Sequence, residues 1–142
     1  MKWIASMGGV GFIRPAPGTW GSALVLPAVL LGPAFCALLA IVLLGIGLWS
    51  LKRLPAARED AGWIVIDEGA GQALALAALP GFSWLGVVLA FALFRLFDIT
   101  KPGPVGWADR VKGPTGVMAD DVIAGGIAGV ILLGVQYAGF SL

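Results

Sequence analysis

The charged residues of this chain are confined to short groups that separate three long stretches without any charge. The uncharged stretches cover residues 15–51, 69–94 and 122–142, and all seventeen charged residues lie outside them. Because a helix needs about 20 apolar residues to cross the hydrocarbon core of a bilayer, each stretch is long enough to enter a membrane. The sequence therefore predicts an all-α, integral-membrane protein, built as a single domain over residues 1–142.

The composition agrees with this prediction and excludes several classes of protein. The chain is 59% hydrophobic and 12% charged, whereas a soluble domain has about 25% charged residues. These proportions exclude intrinsic disorder, a coiled coil and free nucleic-acid binding. The absence of histidine excludes Ser-His-Asp hydrolases, His-dependent phosphatases and His-ligated metals, and a single cysteine excludes a disulfide framework.

Two of the uncharged stretches contain a helix-breaking pair of residues near their middle. Gly32-Pro33 interrupts the first stretch and Pro80-Gly81 interrupts the second, so each stretch is predicted to form a helical hairpin. The predicted hairpin arms are residues 20–31, 34–51, 65–79 and 83–98. Seven of the ten residues from 69 to 78 are Gly or Ala, which favours a helix packed on several sides.

The third stretch predicts one C-terminal span, residues 118–140, after a short linking helix. Two hairpins and one span place every charged group on the same face of the membrane. Each group contains Lys or Arg, so the positive-inside rule makes that face cytoplasmic. The alternative is three simple spans, which would leave basic residues on both faces.

Five carboxylates stand at the ends of these predicted helices. Asp67-Glu68 and Asp120-Asp121 lie at helix starts, and Asp98 closes the second hairpin. Acids that meet beside an apolar bilayer repel one another unless a cation lies among them, and Mg²⁺ binds through a few carboxylates, water and substrate phosphate. The pattern predicts a metal site, with N-terminal capping of the helices as the alternative.

A glycine- and proline-rich segment, residues 9–22, precedes the first hydrophobic helix. Backbone amides at such a helix start, together with Arg14, Thr19 and Ser22, could bind an anionic oxygen. The alternative is a rigid turn followed by a helix that Thr19 caps.

Two basic residues, Arg95 and Lys101, lie close to the acids in the sequence. Pro102 and Pro104 restrict the backbone beside Lys101 and would orient its ammonium group. The chain lacks the motifs of a cysteinyl-phosphate or an aspartyl-phosphate mechanism. Carboxylates, cations and a phosphate-binding loop at a membrane surface therefore indicate metal-assisted hydrolysis of a lipid phosphate. A cation-coupled transporter or channel subunit and a non-enzymatic scaffold are the alternatives.

Three motifs in this order and spacing resemble the phosphatidylglycerophosphatase A family. The first motif is Gly9-x-Gly11 with Ala16-Pro17-Gly18-Thr19-x-Gly21-Ser22, and the second is Ile64-Val65-Ile66-Asp67-Glu68-x-x-Gly71-Gln72. The third motif begins with Phe94-Arg95-Leu96-Phe97-Asp98-Ile99-x-Lys101-Pro102-x-Pro104. It continues with Asp109-Arg110, Gly113-x-x-Gly116-x-Met118-x-Asp120-Asp121 and Ala124-Gly125. The chain departs from the family at Pro114, where a second glycine is expected, and this proline should stiffen the loop before Asp120.

The resemblance implies a Mg²⁺-dependent phosphatase of the bacterial inner membrane, surrounded by membrane lipids. Its substrate would be phosphatidylglycerophosphate, which it would convert to phosphatidylglycerol and inorganic phosphate; a phosphatase for another lipid or polyprenyl phosphate stays open. The implied fold has about six helices, one of them enclosed, and residues 65–79 fit the enclosed helix. The implied metal ligands are Asp67, Glu68, Asp120 and Asp121, and the implied catalytic groups are Asp67, Glu68, Asp98 and Asp121. The implied phosphate-binding residues are Thr19, Ser22, Arg95 and Lys101, and Arg14 would join them.

Overall fold

The computed structural model describes residues 2–13, 15–54, 63–111 and 113–142, and these residues form helices joined by turns and short loops. These residues contain no β-strand, so the all-α prediction is confirmed for this part of the chain. The α-helices are α1 (Lys2–Ala5), α2 (Pro17–Leu24), α3 (Pro33–Leu51), α4 (Ile66–Leu76), α5 (Trp84–Thr100), α6 (Pro104–Asp109) and α7 (Pro114–Tyr137), and two 3₁₀ helices cover Val10–Phe12 and Leu26–Leu31.

Helices α2 to α7 correspond to the six predicted helices, and α1 is an addition that the sequence pattern did not predict. The first predicted arm is not one α-helix, because α2 ends at Leu24 and a 3₁₀ helix follows. Pro27 explains the break, since proline has no N–H to donate and its ring clashes with the carbonyl four residues earlier. Pro114, the departure from the family pattern, is the first residue of α7, where proline is well tolerated.

The described helices pack around three apolar clusters, of which one contains Ala75, Phe94, Val105, Ala124 and Ala128 and the other two lie at opposite ends of the bundle. Of these two, one joins the end of α3 to the starts of α4 and α7, and the other joins the start of α3 to the ends of α4 and α7. The first cluster contains Ala5, Leu51, Ile64, Ile66, Ala70, Val117 and Met118. The second contains Val25, Ala28, Val29, Cys36, Leu76, Leu79, Val87, Ala90, Leu132 and Leu142. Helix α3 therefore runs opposite to α4 and α7, as the predicted hairpins require.

Helix α4 is the enclosed helix, because nine of its eleven residues are buried. It lies between α3 and α7, and its backbone touches that of α7 at two glycines. A Cβ atom on Gly71 would lie 2.4 Å from the carbonyl oxygen of Asp121, and one on Gly125 would lie 2.1 Å from the carbonyl oxygen of Gly71. Only glycine permits this approach, which fixes α4 against the turn of α7 that carries Asp121.

Helices α3 and α7 are, among the described residues, the two that are long and apolar enough to cross a membrane. The outer face of α3 is apolar and exposed, with Leu38 57% and Ile41 67% accessible. A face of this kind indicates association with a membrane. Helix α4 has eleven residues and a length of about 16 Å, which is too short to span a bilayer.

The contact between α4 and α7 predicts different effects on stability when each of two neighbouring glycines is replaced by alanine. We expect Gly125→Ala to destabilise the protein by about 1–3 kcal/mol, because the new methyl group would overlap the α4 backbone. Gly126→Ala is the matched control, since its methyl group would meet only the Leu74 side chain, at 3.9 Å. Thermal unfolding of the two variants in detergent measures the difference, and equal stabilities would contradict the close contact.

Candidate metal centre

Three helices bring the five predicted carboxylates together at one end of the bundle. Asp67 and Glu68 lie in the first turn of α4, Asp98 lies near the end of α5, and Asp120 and Asp121 lie in the second turn of α7. They form two groups, Asp67–Glu68–Asp121 and Asp98–Asp120–Asp121, and within each group one oxygen per residue lies within 4.8 Å of the others. Asp121 belongs to both groups and is therefore at the centre of the cluster.

The four aspartates of this cluster are almost completely removed from solvent. Their exposed fractions lie between 1% for Asp121 and 8% for Asp98, whereas Glu68 is partly exposed. An ionised carboxylate in such an environment is strongly destabilised unless a cation or several hydrogen bonds compensate its charge. The compensation differs between the two groups.

The group of Asp98 and Asp120 is neutralised by basic side chains of the protein. Arg95 Nη1 donates a hydrogen bond to Asp98 Oδ2. Lys101 Nζ lies 2.9 Å from Asp120 Oδ2 and 3.8 Å from Asp98 Oδ1. The other oxygen of Asp120, Oδ1, accepts a hydrogen bond of 2.8 Å from the backbone N–H of Asp121. Both of these acids therefore have partners within the protein.

The group of Asp67, Glu68 and Asp121 has buried oxygens without a partner. Within the part of the chain that the structure describes, Asp67 Oδ1, Glu68 Oε2 and Asp121 Oδ1 accept no hydrogen bond. Burial raises the pKa of Glu68 well above its ordinary value, and the neighbouring charges of Asp67 and Asp98 raise this pKa further. One oxygen from each of these three residues lies within 4.8 Å of the others, an arrangement that could hold a hard divalent cation.

Lys101 has a backbone conformation that lysine rarely adopts. Its φ angle is 51°, in the left-handed region, at the position where α5 ends. Glycine is the usual residue at such a helix end, and another residue there costs about 1–3 kcal/mol. Lysine is present at this position despite the cost, and its ammonium group lies near both Asp98 and Asp120. This combination suggests that the position is occupied by lysine for the sake of its charge.

The start of α2 meets the cluster at Gly18. A Cβ atom at this position would lie 2.9 Å from Glu68 Oε1 and 3.1 Å from Arg95 Nη1, so the start of α2 lies against both side chains. The Ser22 hydroxyl donates a 2.9 Å hydrogen bond to the Gly18 carbonyl and supports this turn. Thr19 is the next residue of α2 and is partly buried, and Arg14 lies outside the described residues.

Gln72 is a buried polar residue of this region to which the sequence motifs gave no role. It lies one turn after Glu68 in α4 and has no exposed surface. Neither its Oε1 nor its Nε2 atom has a hydrogen-bond partner among the described residues. The sequence feature that could have identified Gln72 is that it is a single polar side chain inside the Ala/Gly-rich segment that follows Glu68.

Comparisons with known proteins cover nearly the whole chain. The family model of phosphatidylglycerophosphatase A matches residues 3–136. Phosphatidylglycerophosphatase A of Haemophilus influenzae is 39% identical over 140 residues, which cover 91% of this chain and 84% of the relative. The Escherichia coli protein of the same name is 37% identical over 131 residues, which cover 87% and 76%.

A third relative carries a different name. A Bacteroides thetaiotaomicron protein, provisionally named a phosphatidylinositol-3-phosphatase, is 40% identical over 131 residues, which cover 82% of this chain and 81% of the relative. No solved structure gives a significant match. The matched residues 3–136 include all five clustered carboxylates. The chain belongs to the phosphatidylglycerophosphatase A family.

Proposed function

We propose that this chain hydrolyses the terminal phosphate of phosphatidylglycerophosphate, giving phosphatidylglycerol and inorganic phosphate, with Mg²⁺ as its cofactor. Membership of the family and two relatives named for this reaction support the activity. The proposal for the site rests on a group of buried carboxylates, some of whose oxygens have no partner among the described residues. This group lies next to acids that basic side chains of the protein already neutralise.

Asp67, Glu68 and Asp121 are the residues that would hold the ion. When bound, Mg²⁺ supplies positive charge that neutralises the phosphate and lowers the pKa of water. Glu68 and Asp121 are the leading ligands, and Asp67 completes the set from the first turn of α4. Both oxygens of Asp120 already have partners in the protein, Lys101 Nζ and the backbone N–H of Asp121, so we do not include Asp120 in this set. Metal ligation by Asp120 stays a prediction.

Arg95 and Lys101 would bind the phosphate from the side opposite to the ion. Each is held by an acid of the second group, Arg95 by Asp98 and Lys101 by Asp120, so their charges point into the cluster. Asp98, whose Oδ1 lies 3.8 Å from Lys101 Nζ, would accept a proton from the attacking water, and this role stays a prediction.

The start of α2 would form the third side of the phosphate site. The backbone at Gly18 lies between Glu68 and Arg95, and the positive end of the helix favours an anion there. Ser22 supports this turn through the Gly18 carbonyl. Direct phosphate contacts by Thr19, Ser22 and Arg14 remain predictions.

We place the site at the cytoplasmic face of the bacterial inner membrane. The cluster lies at the end of the bundle where α3 finishes, and Lys52 and Arg53 follow α3 directly. Basic residues at this end agree with the positive-inside rule. The acids cluster at one end of the bundle and are not distributed across the thickness of the membrane, which argues against a transport path for cations.

The relative from Bacteroides thetaiotaomicron supports a second candidate, a phosphatase acting on a different lipid phosphate. Both activities would use the same cluster, since each cleaves a phosphate monoester. Hydrolysis rates on phosphatidylglycerophosphate and on phosphatidylinositol 3-phosphate, measured with one preparation in detergent, separate the two candidates. We expect the higher kcat/KM on phosphatidylglycerophosphate, and the reverse preference would support the second candidate.

Asp121→Asn tests the proposed ion site, because Asp121 belongs to both carboxylate groups. We expect phosphate release to fall by at least about 10²-fold, since a neutral amide binds a divalent cation far more weakly than a carboxylate does. The variant should elute from a sizing column in detergent as the native protein does. Undiminished turnover at saturating Mg²⁺ would contradict the assignment.

Lys101→Met tests the proposed phosphate contact, because it keeps the length of the side chain and removes the charge. We expect kcat/KM to fall by about 10²- to 10³-fold, the loss seen when one donor to a developing anion is removed. Lys52→Met is the matched control, since Lys52 is exposed after α3 and lies outside the cluster. Equal kcat/KM values for the two variants would exclude a specific role for Lys101.

A further inference from the structure

We propose that two neighbouring apolar grooves on the outside of the bundle bind the acyl chains of the lipid substrate, one chain in each groove. This inference rests on the proposed function, because it takes the substrate to be a lipid whose phosphate lies at the carboxylate cluster. It adds the part of the binding site that would hold the apolar half of that lipid. It also assigns a substrate class, a lipid phosphate with two chains.

The first groove lies between α4 and α7 and has a volume of about 230 Å³. Small residues of both helices line it and leave the space between the helices unfilled. Val130 and Leu133 line it as well, and they are 69% and 55% exposed, so the groove opens on the outside of the bundle. The small lining residues are Ala77, Ala78, Gly125, Gly126 and Gly129.

The second groove lies between α3 and α4, beside the first, and has a volume of about 170 Å³. Leu74, a partly exposed residue of α4, lines both grooves, so the two are neighbours on one face. Ile41 lines the second groove and belongs to the exposed apolar face of α3. Both grooves therefore open toward the membrane. The other residues that line the second groove are Ala37, Ala40, Leu44, Ala70 and Val122.

Both grooves begin next to the carboxylate cluster. Val122, in the second groove, follows Asp121 directly, and Gly125, in the first groove, lies one turn after Asp121. An α-helix rises about 1.5 Å per residue, so the first groove extends about 12 Å along α7, from Gly125 to Leu133. A lipid whose phosphate lies at the cluster would have its chains beside the entrances of both grooves.

The chemistry of the lining fits acyl chains. Every side chain that lines the two grooves is apolar, so a polar group placed there would lose hydrogen bonds to water without gaining others. Within a membrane, apolar surfaces associate through close packing, and a groove packs a flexible chain on more sides than a flat helix surface does. Two grooves that begin at one phosphate site match a lipid with two chains, whereas a single-chain lipid phosphate would occupy only one of them.

Gly126→Leu tests the proposal, because the new side chain would occupy the first groove. A Cβ atom at this position would meet only the Leu74 side chain, at 3.9 Å, so we expect the variant to fold. We expect kcat/KM on dioleoyl phosphatidylglycerophosphate to fall about tenfold or more, because a few carbon atoms decide the fit of an apolar pocket. The kcat/KM on the deacylated head group should not change, since the carboxylate cluster is untouched.

Gly134→Leu is the matched control, because it makes the same substitution two turns later in α7. A Cβ atom on Gly134 would meet no atom of the described residues within 4 Å, and Gly134 lines neither groove. We expect this variant to keep the native kcat/KM on both substrates.

Photo-cross-linking measures the position of the chain without turnover. The probe is phosphatidylglycerophosphate with a diazirine in one acyl chain, added to the detergent-solubilised protein without divalent cations, so that Arg95 and Lys101 hold its phosphate. We expect the label on groove residues of α4 and α7 in the native protein and in Gly134→Leu. Gly126→Leu should lose the label on α7.

Equal kcat/KM values of the two leucine variants on the dioleoyl substrate would overturn the proposal. So would a label spread evenly over the exposed faces of α3 and α7. A change of Gly126→Leu from dimer to monomer on a sizing column would assign the first groove to a second copy of the chain instead. If Gly126→Leu does not fold, the labelling of the native protein still decides.

Equal kcat/KM values of the native protein on the diacyl substrate and on its single-chain lyso form would overturn the assignment of one chain to each groove. Failure of the proposed function is a separate result. A native protein that takes the label in the grooves but does not hydrolyse phosphatidylglycerophosphate would refute the function and leave the grooves as binding sites for lipid chains.

Discussion

The burial of negative charge at one end of the bundle is the constraint on which the rest of this structure depends. Four aspartates and one glutamate lie close together, and the aspartates are nearly inaccessible to water. Such a cluster is unfavourable unless positive charge enters it. Arg95 and Lys101 neutralise one group of acids, whereas the other group has oxygens without a partner in the part of the chain that the structure describes. This unequal compensation is the basis on which we propose a phosphate side and a cation side within one cluster.

Close packing of α4 makes this concentration of charge possible. Gly71 and Gly125 let the backbones of α4 and α7 touch, which brings Asp121 against the helix that carries Asp67 and Glu68. Larger side chains at these two positions would push the carboxylates apart. The short length of α4 contributes too, since its N-terminus reaches the cluster while its other end remains within the apolar core. The stability of the fold and the geometry of the site therefore depend on the same contact.

The sequence predicted much of this arrangement, for identifiable physical reasons. The helix-breaking pairs Gly32-Pro33 and Pro80-Gly81 predicted where the hairpin turns lie, and the paired acids predicted which residues form the cluster. The break of the first arm at Pro27 was missed, because the hydrophobic stretch continues through it. The division of the acids into two groups was not predictable either, since it depends on which basic side chain reaches which carboxylate across helices. Gln72 was unassigned for the same reason, since only the fold shows that its amide is buried and has no hydrogen-bond partner among the described residues.

The position of the bound cation tests the central claim most directly. Anomalous diffraction from crystals of the protein grown with Mn²⁺, which accepts the same oxygen ligands as Mg²⁺, would locate the ion without any assumption about activity. We predict one peak within about 2.0–2.4 Å of oxygens from Asp67, Glu68 and Asp121. A peak bound only by Asp98 and Asp120, with Lys101 displaced, or no peak within the cluster, would contradict this account.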